Sequence, residues 1–353
     1  MLKSFRYLLF PFSLIYGGCI ILRNFLFDRK IFKSASFNFP IICVGNLATG
    51  GTGKTPMTEY LIEILQNSFT PATLSRGYKR KTKGFAIAGS RTTALDIGDE
   101  PMQFHEKYPQ ITVAVGEERL EAIPQILHDR PETDVIILDD AFQHRSVEAG
   151  LNILLSEYKN LYTRDLMMPA GDLRDVKGSA KRADIIIITK CKSDLSEAEK
   201  NSIEKELRLL PSQKIFFTEI IYSQPYHLFT GRPANLPVEA DLLLITGIAN
   251  PKPIKEFLTK SVHSYDMLRY PDHHIFTIND LKEIKKHFEK LSSAKRMIIT
   301  TEKDGVRLKK FRGELYDLPV YVLPVKHCFL FGEAESFNKL VFDFIQSFQS
   351  PIS

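Results

Sequence analysis

The chain has 353 residues, 44% hydrophobic and 25% charged, a globular composition with length for about two cores and too much apolar content for a disordered polypeptide. Its net charge of +5 is local: residues 1–33 hold Lys3, Arg6, Arg23, Arg29, Lys30 and Lys33 against Asp28, and the rest is balanced at 41 basic and 41 acidic residues. A basic excess confined to one short segment makes no charged groove, so nucleic-acid binding has no support.

The first element is the uncharged run "YLLFPFSLIYGGCIIL" at residues 7–22. As a helix it reaches only about 24 Å, short of the roughly 30 Å hydrocarbon core, and Pro11, Gly17, Gly18 and Arg23 weaken a spanning reading. It predicts an interfacial segment over 1–34, apolar side among acyl chains and Lys/Arg at anionic headgroups. A signal peptide fits less well: no small-x-small cleavage site follows, and Tyr16 spoils "YGGC" as a lipobox. The alternative is a buried N-terminal helix. Cys19, Cys43, Cys191 and Cys328 form no pair with metal or redox spacing, which points to a reducing cytoplasm.

Next comes the apolar strand "PIICVG" (40–45) and the loop "GNLATGGTGKTP" (45–56), leading into a helix at 55–66. A phosphate loop needs G-x-x-x-x-G-K-[ST] between strand and helix. Gly53, Lys54 and Thr55 close the motif correctly, but Ala48 stands where its first glycine belongs. Gly50 and Gly51 still allow backbone N–H groups to approach phosphate, and the helix N-terminus adds partial positive charge. The expected ATP-binding segment is Ala48, Thr49, Gly50, Gly51, Thr52, Gly53, Lys54 and Thr55. Lys54 would neutralise the β/γ-phosphates and Thr55 would ligate Mg²⁺.

Strand-length runs at 71–75, 111–115, 134–139, 151–155 and 184–189 alternate with helical patterns at 117–128 and 196–210. Near-continuous Ile/Val/Leu strands between helices predict a parallel α/β sheet covered on both faces. "DVIILDDAFQH" ends its strand in Asp139 and Asp140, the acids a phosphate loop with magnesium requires. The alternative is an Asp that caps the next helix. Gln143, His144 and Arg145 follow into the same cleft. "TKCKSD" (189–194) and "TEKD" (301–304) lack the aspartate of a guanine-reading signature, so ATP is expected over GTP. "FTGRPANLP" (229–237) reads as a boundary between a kinase domain at 35–230 and a smaller α/β domain at 231–353. The second unit predicts a strand at 241–246, helices at 251–260 and 279–290, and a strand at 296–301. No internal repeat is present.

Nine pieces occur in order: "VGNLATGGTGKTP", "LSRGYKR", "GDEP", "VGEER", "LDDAFQHR", "PAGDLRD", "TGIANP", "PDHHIF" and "TEKD". Together with the basic apolar N-terminus, they make the sequence resemble the lipid A 4′-kinases (tetraacyldisaccharide 4′-kinases) of Gram-negative bacteria. The resemblance implies a P-loop NTPase-like parallel-sheet domain, a smaller α/β domain closing over the cleft, and an N-terminal membrane-associated helix. It implies MgATP-dependent phosphorylation of the 4′-hydroxyl of a tetraacylated glucosamine disaccharide 1-phosphate at the cytoplasmic face of the inner membrane. No obligate protein partner is evident in the sequence.

The resemblance also assigns roles. Asp99 in "GDEP" matches the catalytic carboxylate, although alone it reads as a helix cap. His273 matches its partner, with His274 the competing assignment. Arg76, Tyr78, Arg119, Arg174 and Asp175 match substrate-side cleft residues, and Gln143 and His144, placed in the cleft by their position after Asp140, are expected to join them. Ala141 stands where the family usually has Gly, and Asp175 where Glu is frequent; the shorter side chain leaves the contacts of Asp175 open. The rival readings are a P-loop kinase of another amphiphile or sugar, and a nucleotide-driven membrane switch. A switch does not need "GDEP" or "PDHH".

Overall fold

Side chains of a strand alternate between its two faces, and the Ile/Val-rich segments bury both. In the computed structural model, which describes residues 6–293 and 295–348, Ile41, Cys43, Ile136 and Leu138 enter one core. Ile42, Val44, Val135 and Ile137 enter another on the opposite side. The strands are β1 (Ile41–Asn46), β2 (Pro71–Ser75), β3 (Ala86–Ile87), β4 (Thr112–Val115), β5 (Val135–Asp139), β6 (Leu151–Glu157), β7 (Ile185–Thr189) and β8 (Lys214–Tyr222). They lie in the order β8-β7-β6-β1-β5-β2-β4-β3, parallel except for the edge strand β3. The principal helices of this unit are α1 (Phe10–Asp28), α2 (Lys54–Leu65), α3 (Asp99–Lys107), α4 (Arg119–Asp129) and α5 (Glu197–Leu207).

Neighbouring strands bring the chemistry together. β1 lies between β5 and β6, and Val44 pairs in register with Asp139, so the loop after β1 and the acids after β5 emerge side by side. Gly45 has to be glycine here, because a Cβ would lie 2.5 Å from that of Phe142. Ligands of open α/β sheets bind at such carboxyl ends.

The smaller unit has strands β9 (Tyr226–His227), β10 (Asp241–Thr246), β11 (Ser264–Arg269), β12 (Arg296–Thr301) and β13 (Val320–Leu323), ordered β9-β13-β12-β10-β11. Its helices include α6 (Lys252–Ser261), α7 (Ile278–Glu289) and α8 (Glu302–Leu308). β11 was not legible as a strand, because an edge strand paired only to β10 leaves its polar residues in solvent.

The expected extent of this unit, 231–353, needs correction. After β13 and Pro324, strand β14 (Val325–Phe329) pairs antiparallel with β8 and becomes the far edge of the large sheet. Helix α9 (Ala334–Gln346) buries Phe337, Val341 and Ile345 in the core that α2 covers. The chain thus returns to the first unit. Periodicity shows that a strand exists but not which sheet edge it joins. Residues 349–353, and residues 1–5 with Lys3, lie outside the described residues.

The N-terminal helix also extends beyond the expected run. Tyr7–Asp28 is the single stretch among the described residues long and apolar enough to cross a membrane. Pro11 sits in the first turn, where its missing N–H costs nothing, and Gly17 lies close to Met167. The buried side of α1 is small and polar. Ser13 Oγ accepts from Ala170 N at 2.9 Å, Tyr16 donates to the Arg174 carbonyl at 3.0 Å, and Asn24 donates to Asp175 at 2.9 Å. The exposed side is apolar, with Leu14 at 62%, Ile15 at 67% and Leu22 at 59% exposure. This inversion excludes a helix buried in the protein core. Two of the basic residues expected to face lipid also work inside the protein: Arg6 pairs with Asp172 and Arg23 donates to the Gln143 carbonyl.

Candidate active site

The loop after β1 starts α2 from Gly53, whose φ of +89° lies in the left-handed region that favours glycine. Its first half is tied down by Thr49 N, which donates to the Asp172 carbonyl at 2.7 Å. Ala48 bridges to Leu173 beside it. Gly50 and Gly51 face open space, and Thr52 is buried and accepts from Asn46 Nδ2 at 2.9 Å. Thr55 occupies the first turn of α2 and is half-buried.

Lys54 Nζ lies 3.3 Å from Asn46 Oδ1 and 3.6 Å from Asp140 Oδ1. Burial lowers the Lys54 pKa from its ordinary value, with Asp140 opposing. Arg174 joins from the other side, donating to Asn46 Oδ1 at 2.7 Å and to Asp140 Oδ2 at 3.2 Å. Burial works against the Asp140 carboxylate, but Lys54 and Arg174 outweigh it and hold its pKa down. Asp139 is deeper, accepting from Thr58 at 3.3 Å and Ser75 at 3.4 Å. Burial and then the Asp140 charge push it up to about 6. Two adjacent acids, one held up by its neighbour's charge, with a hydroxyl nearby on α2, are the hard oxygen donors that suit Mg²⁺. A divalent cation would relieve that repulsion.

The second cluster spans the two units. Gly98, at φ +96°, turns the chain so that Asp99 is the first residue of α3. The Asp99 side chain does not cap the helix. Its Oδ2 lies 2.9 Å from His273 Nδ1 and accepts from Arg307 of α8. Arginine has only N–H donors, so the arrangement that satisfies all three groups is Nδ1–H donating to Asp99, with Arg307 donating to the same carboxylate. Burial opposes the Asp99 carboxylate, yet Arg307 and then His273 hold its pKa below the ordinary value. Arg307 also donates to Asp304 Oδ1 at 3.1 Å, and Asp304 accepts from Gly247 N at 3.0 Å. Arg307 escaped sequence reading; its only signal was spacing, three residues after Asp304 of "TEKD" on one helix face. Asn46 was missed too, although it lies in the quoted loop motif.

His274 is accounted for elsewhere. Its Nε2 lies 3.0 Å from Asp280, and its ring stacks on Tyr270 with centroids 4.7 Å apart. Tyr78 is exposed and meets the His273 ring edge-on at 5.7 Å between centroids. The clusters adjoin: the Glu100 charge acts on Asp139, and the Lys303 charge acts on Lys54.

The remaining expected residues divide. Arg76 is exposed and its charge acts on Arg119 and His144. Arg119 is only 1% exposed and donates to the Gly116 and Glu117 carbonyls, which fits bracing the loop before α4. His144 contacts the Glu117 carbonyl at 3.1 Å, and Gln143 donates to the Asn46 carbonyl at 2.7 Å. Asp175 is not in the cleft. It is fully buried and occupied by Arg182, Asn24, Ser179 and the Val176 N–H, so it anchors α1 and does not face substrate.

A family model described as tetraacyldisaccharide-1-P 4′-kinase matches residues 5–346. The tetraacyldisaccharide 4′-kinase of Phocaeicola vulgatus is 45% identical over 346 residues, covering 96% of this chain and 94% of that protein. That of Flavobacterium johnsoniae is 46% identical over 325 residues, covering 91% and 94%. Among solved structures, "apo" form LpxK from Aquifex aeolicus in complex with ATP is similar with a TM-score of 0.77 at 26% identity, covering 98% of this chain and 100% of that one.

Proposed function

The chain belongs to the tetraacyldisaccharide-1-P 4′-kinase family, and from that membership we propose how its cleft divides the work of phosphoryl transfer. The reaction is the ATP-dependent phosphorylation of the 4′-hydroxyl of a tetraacylated glucosamine disaccharide 1-phosphate, a step of lipid A biosynthesis. Such a transfer asks the protein for positioning, neutralisation of phosphate charge and an acceptor for the hydroxyl proton.

On the donor side, the N–H groups of residues 48–55 cradle the phosphates and Lys54 supplies a point charge. Arg174 shifts from Asp140 towards the transferring phosphoryl group as charge develops there. Thr55, Asp139 and Asp140 would hold Mg²⁺, which when bound neutralises phosphate oxygens and aligns the donor. On the acceptor side, Asp99 takes the sugar proton while His273 and Arg307 fix its orientation. Arg76 and Tyr78 line the acceptor approach, and His144 and Gln143 brace the donor side. The observation that carries this reading is the Asp99–His273 contact at 2.9 Å, beside a phosphate loop whose neighbouring Asp140 is already paired with Lys54 and Arg174.

The smaller unit closes the cleft in this reading. Its two crossings lie side by side, with Ser223 N donating to the Pro324 carbonyl at 2.9 Å, which suits a hinge. The exposed apolar side of α1 rests in the cytoplasmic interface of the inner membrane, with Arg29, Lys30 and Lys33 at anionic headgroups. Transfer of labelled γ-phosphate to tetraacyl disaccharide 1-phosphate, with the product mapped to the 4′ position, tests the assignment. ATP turnover that ignores the lipid would favour a nucleotide switch and overturn it.

A further inference from the structure

Phosphate loops turn their N–H groups towards the ligand, so their carbonyls point back into the protein and require donors there. In this chain two carbonyls next to Lys54 find side-chain donors from distant strands. Thr189, fully buried at the end of β7, donates its hydroxyl to the Thr52 carbonyl at 2.8 Å. His327, in the middle of β14, has Nε2 at 2.9 Å from the Gly53 carbonyl. A carbonyl only accepts, so Nε2 carries the proton. Nδ1 is then the acceptor, 2.8 Å from the hydroxyl of Thr218. Burial lowers the His327 pKa to about 4, which keeps the ring neutral and this tautomer fixed. The contact is close on the Gly53 side as well: a Cβ there would lie 3.0 Å from His327 Nε2.

We propose that Thr189 and His327 are positioning residues for the phosphate loop, holding the Thr52 and Gly53 carbonyls backward so that the neighbouring N–H groups face the nucleotide. The inference rests on the phosphate-loop reading above. It gives Thr189, the first residue of the guanine-like "TKCKSD", a task unrelated to base recognition. It also explains why β14 returns to the large sheet. The strand that leaves the smaller unit carries the side chain that fixes the loop, so the inter-unit crossing and the nucleotide site share one residue.

The test is ATP affinity of the full chain by titration calorimetry without lipid, alongside KM for lipid and thermal stability. Removing the Thr189 hydroxyl strands the buried Thr52 carbonyl, which has no helical donor because Pro56 lacks an N–H, so Thr189→Val should weaken ATP binding about tenfold or more. The Gly53 carbonyl keeps the Met57 N–H at 3.1 Å, so His327→Leu should have the smaller effect, about threefold. KM for lipid should stay within about twofold of the unaltered chain, a margin well below 1.4 kcal/mol. Thr189→Ser and His327→Gln keep a donor and should each restore ATP affinity towards that of the unaltered chain. Unchanged ATP affinity in folded Thr189→Val, or failure of Thr189→Ser to restore it, overturns the proposal. If His327→Leu does not fold, the Thr189 pair decides. Lys54→Ala separates the two levels: if it too leaves ATP binding intact, the phosphate-loop reading itself fails; if it alone weakens binding, only the positioning roles fail.

Discussion

His273 Nδ1 lies 2.9 Å from Asp99 Oδ2 across 174 positions of sequence, joining a helix start in the large unit to a loop of the smaller one. Arg307 holds the same carboxylate oxygen from α8. Three side chains from two units thus meet at one acidic group, and its readiness to accept a proton depends on how the units sit together. Further ion pairs, Lys107–Glu302 at 2.7 Å and Lys309–Glu106 at 2.8 Å, hold α3 against the smaller unit in this arrangement.

Asp99→Ala should reduce kcat by about 10²–10⁴-fold while KM for ATP changes little, as expected for loss of a proton acceptor. His273→Ala should be milder, and the double variant should lose much less than the product of the two effects. His274→Ala should leave this cycle untouched, because His274 is committed to Asp280. A double-mutant cycle on kcat at saturating ATP measures this. Fully additive losses would separate Asp99 from His273.

Arg307 and His273 together depress the Asp99 pKa against the effect of burial. Asp99 accepts a proton only when ionised, so its titration sets an acid limb in the pH dependence of kcat/KM. Arg307→Gln removes the nearest positive charge and should move that limb to higher pH. Loss of activity with an unmoved limb would make Arg307 a purely structural residue.

Lys54→Ala removes the charge aimed at the β/γ-phosphates and should cost about 10²–10³-fold or more in turnover, the scale of about 3–4 kcal/mol for such electrostatic contacts. Near-normal turnover in folded Lys54→Ala would contradict the donor-side assignment.

Asp139 is raised to about 6, chiefly by burial and then by Asp140. The folded state therefore binds this proton more tightly than the unfolded state. The associated stability is present below the unfolded pKa near 4 and is lost as pH rises through about 6, amounting to about 2–3 kcal/mol. Urea unfolding at pH 4.5 and 7.5 should show the decline, and Asp139→Asn should flatten it. MgATP should stabilise the chain more at the higher pH, where the carboxylate is free to bind metal.

Leu14, Ile15 and Leu22 are exposed on α1, whereas Asn24 and Asp175 hold its other side. Replacing the three apolar residues by Gln should leave thermal stability unchanged and greatly reduce sedimentation with anionic vesicles, since each buried side chain contributes about 1.5–3 kcal/mol. Asp175→Ala should do the reverse, costing about 3 kcal/mol of stability by stranding Arg182 and Asn24. Destabilisation by the Gln variant would show that the apolar side packs on protein.

Much of this was decided by local chemistry. Strands such as Ile185–Thr189 are legible because continuous Ile runs have no stable place except between two covered faces. The glycine-rich loop is legible because its backbone requirement, as at Gly53, selects residue types directly. Asp139 and Asp140 could be assigned together because the end of an apolar strand fixes where they emerge. Family resemblance supplied Asp99 and His273, whose neighbourhoods look ordinary as sequence. Only the tertiary structure decided that His273 and not His274 meets Asp99, that Arg307 joins them, and that Asp175 anchors a helix. It alone placed β14 in the large sheet and His327 under the phosphate loop. These relations depend on long-range register and on which face of a loop is covered. A one-residue choice such as His273 over His274 is settled by φ +59° at His273 and by the aromatic stack that holds His274. Neither leaves a periodic trace in the chain, because both arise from packing between segments that sequence places far apart.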